Sequence, residues 1–537
     1  MLIVCIILEW LSLQHGYTGF VNLTTSWIHQ EENRDVIFSF VTENEFCALQ
    51  IILGVWIAGL VLCFWARKKI FLTLQGFISF LFAAMKQLWR EIAGSTAKYI
   101  LLIPFGCSVY YASTMPVTYD EAWTYLYFTI NSPIASVTFY PASNNHILFS
   151  LISNFTSLIP FLSPLFAFRI SSVVISSLSW SLLFIGFKKW TGEKPALLIT
   201  AVSSMLFMSV YYSYMARGYA LVILFFILAS ISVWNLFSNN NSRQYWILYV
   251  LTNVLGCYTM PSFLFVLAPL SVLLLTSSVI SKTTWLKAHL AILVTCFLLY
   301  VPVMIVNGID VFSQNISGRE LPLYDFAQKI IPFFIDAVGE ITGWPLWVWS
   351  PLGVSATVYL IWKKRWQPLR VFILFILLTG ILLVLHPVIP YSRSLIHFGI
   401  LIVVFISLPF ISLFRAAAMR NIFILAICLQ GLLVFTTYVQ IRNYDRVYRD
   451  YHTLAMKIMG EQKRYYFNSR LFDTTFAFEM RTHGYRWQKA ANAYPTKVHP
   501  MSADTVDGYD YIVIDRRMDI TQVKKPIYTT PQIHVYQ

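Results

Sequence analysis

The chain has 537 residues, 57% of them apolar and 12% charged, with a net charge of +14 and a mean hydropathy of +0.63. Ordinary soluble domains carry about 25% charged residues, so a string of soluble domains is excluded, and with it the nucleic-acid partner that a basic soluble chain would suggest. The composition is that of a polytopic membrane protein, in which basic residues collect in cytoplasmic turns.

The first fourteen residues, MLIVCIILEWLSLQ, are apolar but short, and they lack the basic start and small-residue cleavage site of a signal peptide. Runs long enough to cross a bilayer, about 17 to 25 residues, follow near 46–65, 98–115, 166–187, 195–212, 217–237, 242–258, 261–280, 287–305, 346–362, 370–388, 394–414 and 421–439. The expected architecture is therefore α-helical with about twelve transmembrane helices. Basic residues sit at alternate turns: Arg67 to Lys69, Lys188 and Lys189, Arg243, Lys282, Lys363 to Arg365, and Arg415 with Arg420. Those turns are assigned to the cytoplasm, which puts 116–165, 213–216, 306–345, 386–393 and everything after Val439 on the outer side.

Three segments follow from this pattern. Residues 1–97 form an extension with one span and a cytoplasmic interfacial helix at 66–97. Residues 98–439 form the main transmembrane domain, whose first outer loop covers 116–165. Residues 440–537 are richly charged, and DYIVID at Asp510 to Asp515 reads as a buried strand, so this tail is expected to be a small extracytoplasmic α/β domain. The seven cysteines lie in or beside apolar runs without C-x-x-C spacing, as small core residues do.

Charge is scarce enough to direct attention to the outer loop. Asp120 and Glu121 follow the first core span directly. Acidic residues there could simply cap a helix; a carboxylate at a low-dielectric interface could also act as a general base. Neighbours on a helix point about 100° apart, so one of the two is expected to face reacting atoms, Asp120 by preference, with Glu121 supporting it or holding a cation. Asn145 and His146 come next; Asn is a favoured N-cap, which would put His146 on the first turn of a helix. One His with one carboxylate is too little for a zinc signature, yet His146 could complete a cation site with Glu121. Arg217 and Arg393 stand at the outer ends of spans, where an arginine needs an anion or a carboxylate; Arg169 is a weaker third case. Snorkelling toward lipid phosphates is the plain alternative for each.

In order along the chain, YDEA at 119–122, NNHILFSLI at 144–152, FRISSVVISSL at 168–178, ARGYALVILF at 216–225 and YSRSL at 391–395 resemble the membrane-embedded glycosyltransferases of the GT-C fold. The closest resemblance is to the branch holding protein O-mannosyltransferases and the lipid A aminoarabinose transferase. It covers roughly residues 98–440. It implies a polyprenyl-phosphate sugar donor, an acceptor that is a lipid, glycan or protein, and an outward-facing site, in a bacterial inner membrane facing the periplasm. By the same resemblance Asp120 and Glu121 would be catalytic, and Asn145, His146, Arg217, Tyr219 and Arg393 would bind substrate. A divalent cation on Glu121 and His146 stays open. Two features depart from the pattern: Ile147-Leu148 stand where relatives often have prolines, and no Tyr follows Arg393. A polytopic transporter or lipid-linked sugar flippase is the competing expectation, though its polar residues would interrupt spans at mid-membrane, and here they gather at outer ends.

Overall fold

The computed structural model describes residues 14–23, 25–26, 43–130, 132–140, 144–238, 242–308, 322–460, 463, 465–467, 470–485, 510–515, 527–529 and 533–536. The first thirteen residues, nearly all of the stretch read for a signal peptide, lie outside them. The chain is helical nearly throughout. Helix α1 is Glu43–Trp65 and α2 is Arg67–Ala93; α3, Ala97–Thr114, is followed by the short helices α4 (Tyr119–Thr124), α5 (Pro133–Thr138) and α6 (Ile147–Thr156). Then come α7 (Pro164–Thr191), α8 (Glu193–Ser203), α9 (Phe207–Tyr214), α10 (Tyr219–Phe237), α11 (Arg243–Thr259), α12 (Leu264–Leu275) and α13 (Lys282–Asn307). The second half holds α14 (Leu323–Thr342), α15 (Leu346–Trp362), α16 (Trp366–Leu385), α17 (His397–Ser407), α18 (Ile411–Ala416) and α19 (Met419–Tyr444).

Among the described residues seven helices are long and apolar enough to cross a membrane, or nine if two bent pairs count as single spans. The chain is thus a helical membrane-embedded protein. Part of the shortfall from twelve is explained by chain breaks, since α8 and α9 meet at 71°, and by shorter apolar helices such as α15. The other bend, 75° between α3 and the piece after it, is written into the sequence. Met115 precedes Pro116, which disfavours the helical region for the residue before it, and Met115 is extended at ψ 137°. Thr118 then starts α4 with a capping box: its side chain accepts from the Glu121 N–H, and the Glu121 carboxylate accepts from the Thr118 N–H at 3.1 Å.

Helix α2 is apolar and long enough to cross by composition, but its contacts lay it across one end of the bundle. Thr73 near its start accepts from Arg243, where α11 begins, at 2.6 Å, and Glu91 near its end pairs with Lys188, where α7 ends, at 2.9 Å. Both partners are basic-turn residues at the end of the bundle away from Asp120. At about 1.5 Å rise per residue, one helix spans that face.

The main core gathers α7, α9 and α10 with the helices around them. Serines 171, 172, 176 and 179 on α7 are buried, and small residues let backbones approach closely where lipid offers no hydrophobic drive; Ser172 donates to the Met215 carbonyl at 2.6 Å. After α19 the chain forms α20 (Arg446–Ile458), β1 (Tyr465–Phe467), α21 (Arg470–Thr482), β2 (Tyr511–Asp515), β3 (Tyr528–Thr529) and β4 (Ile533–Tyr536). The sheet order is β1-β2-β4-β3, with β1 and β2 parallel and the other pairs antiparallel. The apolar run read at Asp510 to Asp515 is therefore an inner strand. Its Val513 packs with Leu454, Ile458, Phe472 and Phe476 in a core of their own.

Candidate functional site

The two neighbouring carboxylates diverge at once. Glu121 is fully buried and forms a bidentate pair with Arg169, Nε to Oε1 at 2.8 Å and Nη2 to Oε2 at 2.6 Å. Its Oε1 also accepts from the Ala216 N–H at 2.8 Å. Arg169 spends its remaining donors on the carbonyls of Ala112, Met115 and Pro116, which the end of α3 and its bend leave without helical partners. Glu121 and Arg169 are thus the clasp that holds the bend. This corrects the expectation that Glu121 is catalytic, since it is not presented to a reacting atom, whereas Arg169 has found the carboxylate that its place near the start of a span calls for.

Asp120 turns the other way. Its Oδ2 lies 2.9 Å from Arg393 Nη1, with both side chains about a quarter exposed (26% and 23%). Arg393 reaches this point from the 3₁₀ turn Ser392–Leu395 that opens α17, and its guanidinium lies over the Tyr391 ring at 4.4 Å. A cleft of about 490 Å³ opens here, walled by α14 through Lys329, Asp336 and Glu340, by Tyr391 and Arg393, and by Tyr444.

Behind this pair lies Arg217, 2% exposed. Its Nη1 donates to the Thr124 hydroxyl at 2.7 Å, the Asn144 carbonyl at 2.8 Å and the Asp120 carbonyl at 3.3 Å. No carboxylate lies within ion-pair distance of it among the described residues, and its Nε has no hydrogen-bond partner among them. Its Nη2 faces His146 Nε2 at 3.2 Å, while His146 Nδ1 accepts from the Gly218 N–H at 2.7 Å. A neutral imidazole that accepts at Nδ1 carries its proton on Nε2, so two donors face each other. An anionic oxygen beside them would accept from both. Burial first, then Arg217 and Arg393, hold His146 well below the usual imidazole range, which keeps it in that neutral form.

His146 occupies the N-cap of α6 without a side-chain capping bond, so the expectation that an Asn caps this helix with His146 on its first turn is corrected: the imidazole is drawn to the Gly218 N–H instead. Asn145 is structural. Its amide donates to the Ser136 and Phe139 carbonyls, each at 2.9 Å, and its oxygen accepts from Ser150 at 2.8 Å, tying α5 to α6. Tyr219, 4% exposed, packs edge-on to His146 at 4.9 Å and against Tyr212 at 4.2 Å. Asp120, His146, Arg217, Tyr219 and Arg393 therefore converge, while Glu121 and Asn145 support them. The cation site on Glu121 and His146 does not fit: the Glu121 oxygens are filled by Arg169, Ala216 and Thr118, and His146 Nδ1 already holds an N–H. Among the described residues no three His, Cys, Asp or Glu side chains gather as a metal would need.

Sequence reasoning missed Asp445. It is fully buried at the end of α19, and accepts from the Tyr211 hydroxyl at 3.0 Å and the Tyr214 hydroxyl at 3.3 Å. Burial pushes its carboxyl up to about 6, against the hydrogen bond from Tyr211. The tyrosine run YYSY at 211–214 and an acid closing a long apolar stretch were the available signals. The segment beyond it also reaches the site: Phe478 on α21 packs against Ala122 and Val117 and meets the Tyr125 ring at 4.8 Å, just where α4 passes into a π turn, Tyr125–Thr129. Such turns are frequent at functional sites.

Comparison with protein-family models finds no match, and comparison with the curated proteins finds none either.

Proposed function

We propose that the chain is a membrane-embedded glycosyltransferase that moves a sugar, with inversion, from a polyprenyl-phosphate donor to an acceptor hydroxyl or phosphate on the outer face of the membrane. A bacterial inner membrane with the site toward the periplasm fits this reading. The observation that carries it is the convergence of one partly exposed carboxylate, Asp120, with two arginines beside an open cleft. The acceptor oxygen attacks the anomeric carbon, its proton passing to the Asp120 carboxylate. The bond from that carbon to the phosphate oxygen breaks, and its electron pair leaves with the phosphate. Arg217 and Arg393 supply the positive charge that this leaving group needs, in a site where burial strengthens electrostatic stabilisation. Thr124 and the Asn144 carbonyl hold Arg217 in place, and His146 offers its Nε2 proton to the same phosphate.

The test is sugar transfer by the purified chain in vesicles containing polyprenyl-phosphate sugars. Asp120→Asn should lower transfer by about 100-fold or more, the scale of a lost general base, with donor binding kept. Undiminished transfer by that variant sinks the assignment. The transporter or flippase reading draws on the breaks at α3–α4 and α8–α9, since discontinuous helices line transport sites. Movement of the donor across the vesicle membrane without formation of a glycosylated product would favour it.

A further inference from the structure

Helix α2 meets the bundle along only part of its apolar surface. At about 100° per residue, positions Phe71 to Ile92 divide into an apolar arc of about 200° and a narrower polar one. The bundle takes up one half of the apolar arc. Phe77 and Leu88 are buried there, Phe80 meets the Tyr245 ring edge-on at 5.7 Å, and Thr73 and Glu91, the polar residues of this half, bond to Arg243 and Lys188. The other half is a stripe about 60° wide, made of Phe71, Ile78, Phe82, Met85 and Trp89. Phe71, Phe82 and Trp89 are exposed at 66%, 73% and 75%.

The two halves lie to either side of the middle of the arc, each about 60–70° from it. With the polar arc turned to water, the helix therefore fits the corner between the flank of the bundle and the bilayer, with one half of its apolar arc on each. Trp65, exposed just before the helix, and Trp89 near its end set it at the headgroup level, where tryptophan is enriched.

Charge says what lies over the stripe. The polar arc carries Gln75, Ser79, Lys86, Gln87 and Arg90, with Lys68 in line with Lys86, and Leu72 is the one large apolar residue on it. Glu91 is the one acid of the helix, and Lys188 pairs with it. The charge left beside the stripe is thus wholly basic. A basic face next to an exposed apolar stripe is complementary to anionic headgroups above acyl chains, whereas a second copy of α2 would bring like charges together.

We infer that α2 is an anchor for anionic phospholipid in the leaflet opposite Asp120. The stripe lies among acyl chains, and Lys68, Lys86 and Arg90 lie among headgroup phosphates. The bonds of Thr73 and Glu91 fasten this lipid-covered helix to α11 and α7. Nothing in the placement depends on the glycosyltransferase reading.

The experiment uses the full-length chain in vesicles of phosphatidylcholine and phosphatidylglycerol in equal parts. A trace of either lipid carries a diazirine in its acyl chain, and adducts in peptides covering 67–93 are read by mass spectrometry. The phosphatidylglycerol probe should label these peptides several-fold more than the phosphatidylcholine probe, and the preference should shrink with added salt, which screens exposed charge. In the triple variant Lys68→Gln, Lys86→Gln, Arg90→Gln the two probes should label equally, with labelling of the remaining peptides unchanged. Equal labelling in the parent chain, or a preference that survives the triple variant, overturns the charge selection. In a second arm, photoreactive benzoylphenylalanine replaces Phe82, Trp89, Ser79 or Ala83 one at a time. Capture of acyl chains should be several-fold higher at Phe82 and Trp89 than at Ser79 and Ala83. Equal or reversed capture overturns the placement of the stripe, as do cross-links at Phe82 between two copies of the chain.

Discussion

Asp120 and Glu121 are neighbours whose carboxylates pair with different arginines, Asp120 with Arg393 at 2.9 Å and Glu121 with Arg169 at 2.6 Å. One turn of one helix therefore carries a partly exposed acid toward a cleft and a fully buried acid into a clasp. The two should respond to substitution in opposite ways. Glu121→Gln or Arg169→Met leaves a buried charge unpaired, a loss of about 3–5 kcal/mol, and should lower thermal stability in detergent sharply. Asp120→Asn breaks a pair open to solvent, worth about 0–1 kcal/mol after screening, and should barely move the melting temperature. A similar loss from both variants would contradict the division.

Gly218 is needed for space, its φ of −68° being ordinary. A Cβ there would meet Thr259 Cγ2 at 2.7 Å and His146 Cβ and Nδ1 at 2.9 Å. Gly218→Ala should push His146 off the Gly218 N–H and cost about 1–3 kcal/mol as overpacking, with weaker binding of polyprenyl phosphate. Adding His146→Gly removes two of the three close contacts, so the double variant should recover part of the thermal stability without recovering phosphate affinity. Isothermal titration and melting curves on the same preparations separate the two effects.

Phe478 is 1% exposed and braces the helix that carries Asp120. Phe478→Ala should cost about 3–5 kcal/mol and, more tellingly, speed amide exchange of peptides covering 117–130 relative to α7. Phe478→Leu should restore most of the protection. Uniform exchange changes across the chain would mean that Phe478 matters to stability at large and does not brace this helix in particular.

Asp445 should make stability pH-dependent. Its carboxyl is raised to about 6 by burial, above the unfolded value of about 3.9, so the folded chain binds the proton more tightly than the unfolded one between those values. This contribution is greatest below pH about 4 and is lost as pH rises through about 6. The charges that bear on it are Glu121, which raises it, and Arg169, which lowers it, with the Tyr211 and Tyr214 hydroxyls bonded to it. Asp445→Asn keeps an acceptor for one tyrosine hydroxyl, presents an amide donor to the other and removes the titration, so its melting temperature should fall less across that range than that of the parent chain. Identical profiles would contradict this account.

Hydropathy, read along the chain, was enough for a helical membrane protein and for the strand at Asp510 to Asp515, and scarce charge drew attention to Asp120, His146, Arg217 and Arg393, which the fold brings together. These are local signals: a span or a strand is encoded within a few residues of itself, and a charge in an apolar run is conspicuous wherever it sits. The roles of Glu121, Arg169, Asn145 and Asp445 were decided by tertiary structure alone. Glu121 meets an arginine 48 residues away, and Asp445 meets tyrosines 234 and 231 residues away. No period or motif links such positions, because the energy of a buried carboxylate depends on which donors the folded bundle brings to it.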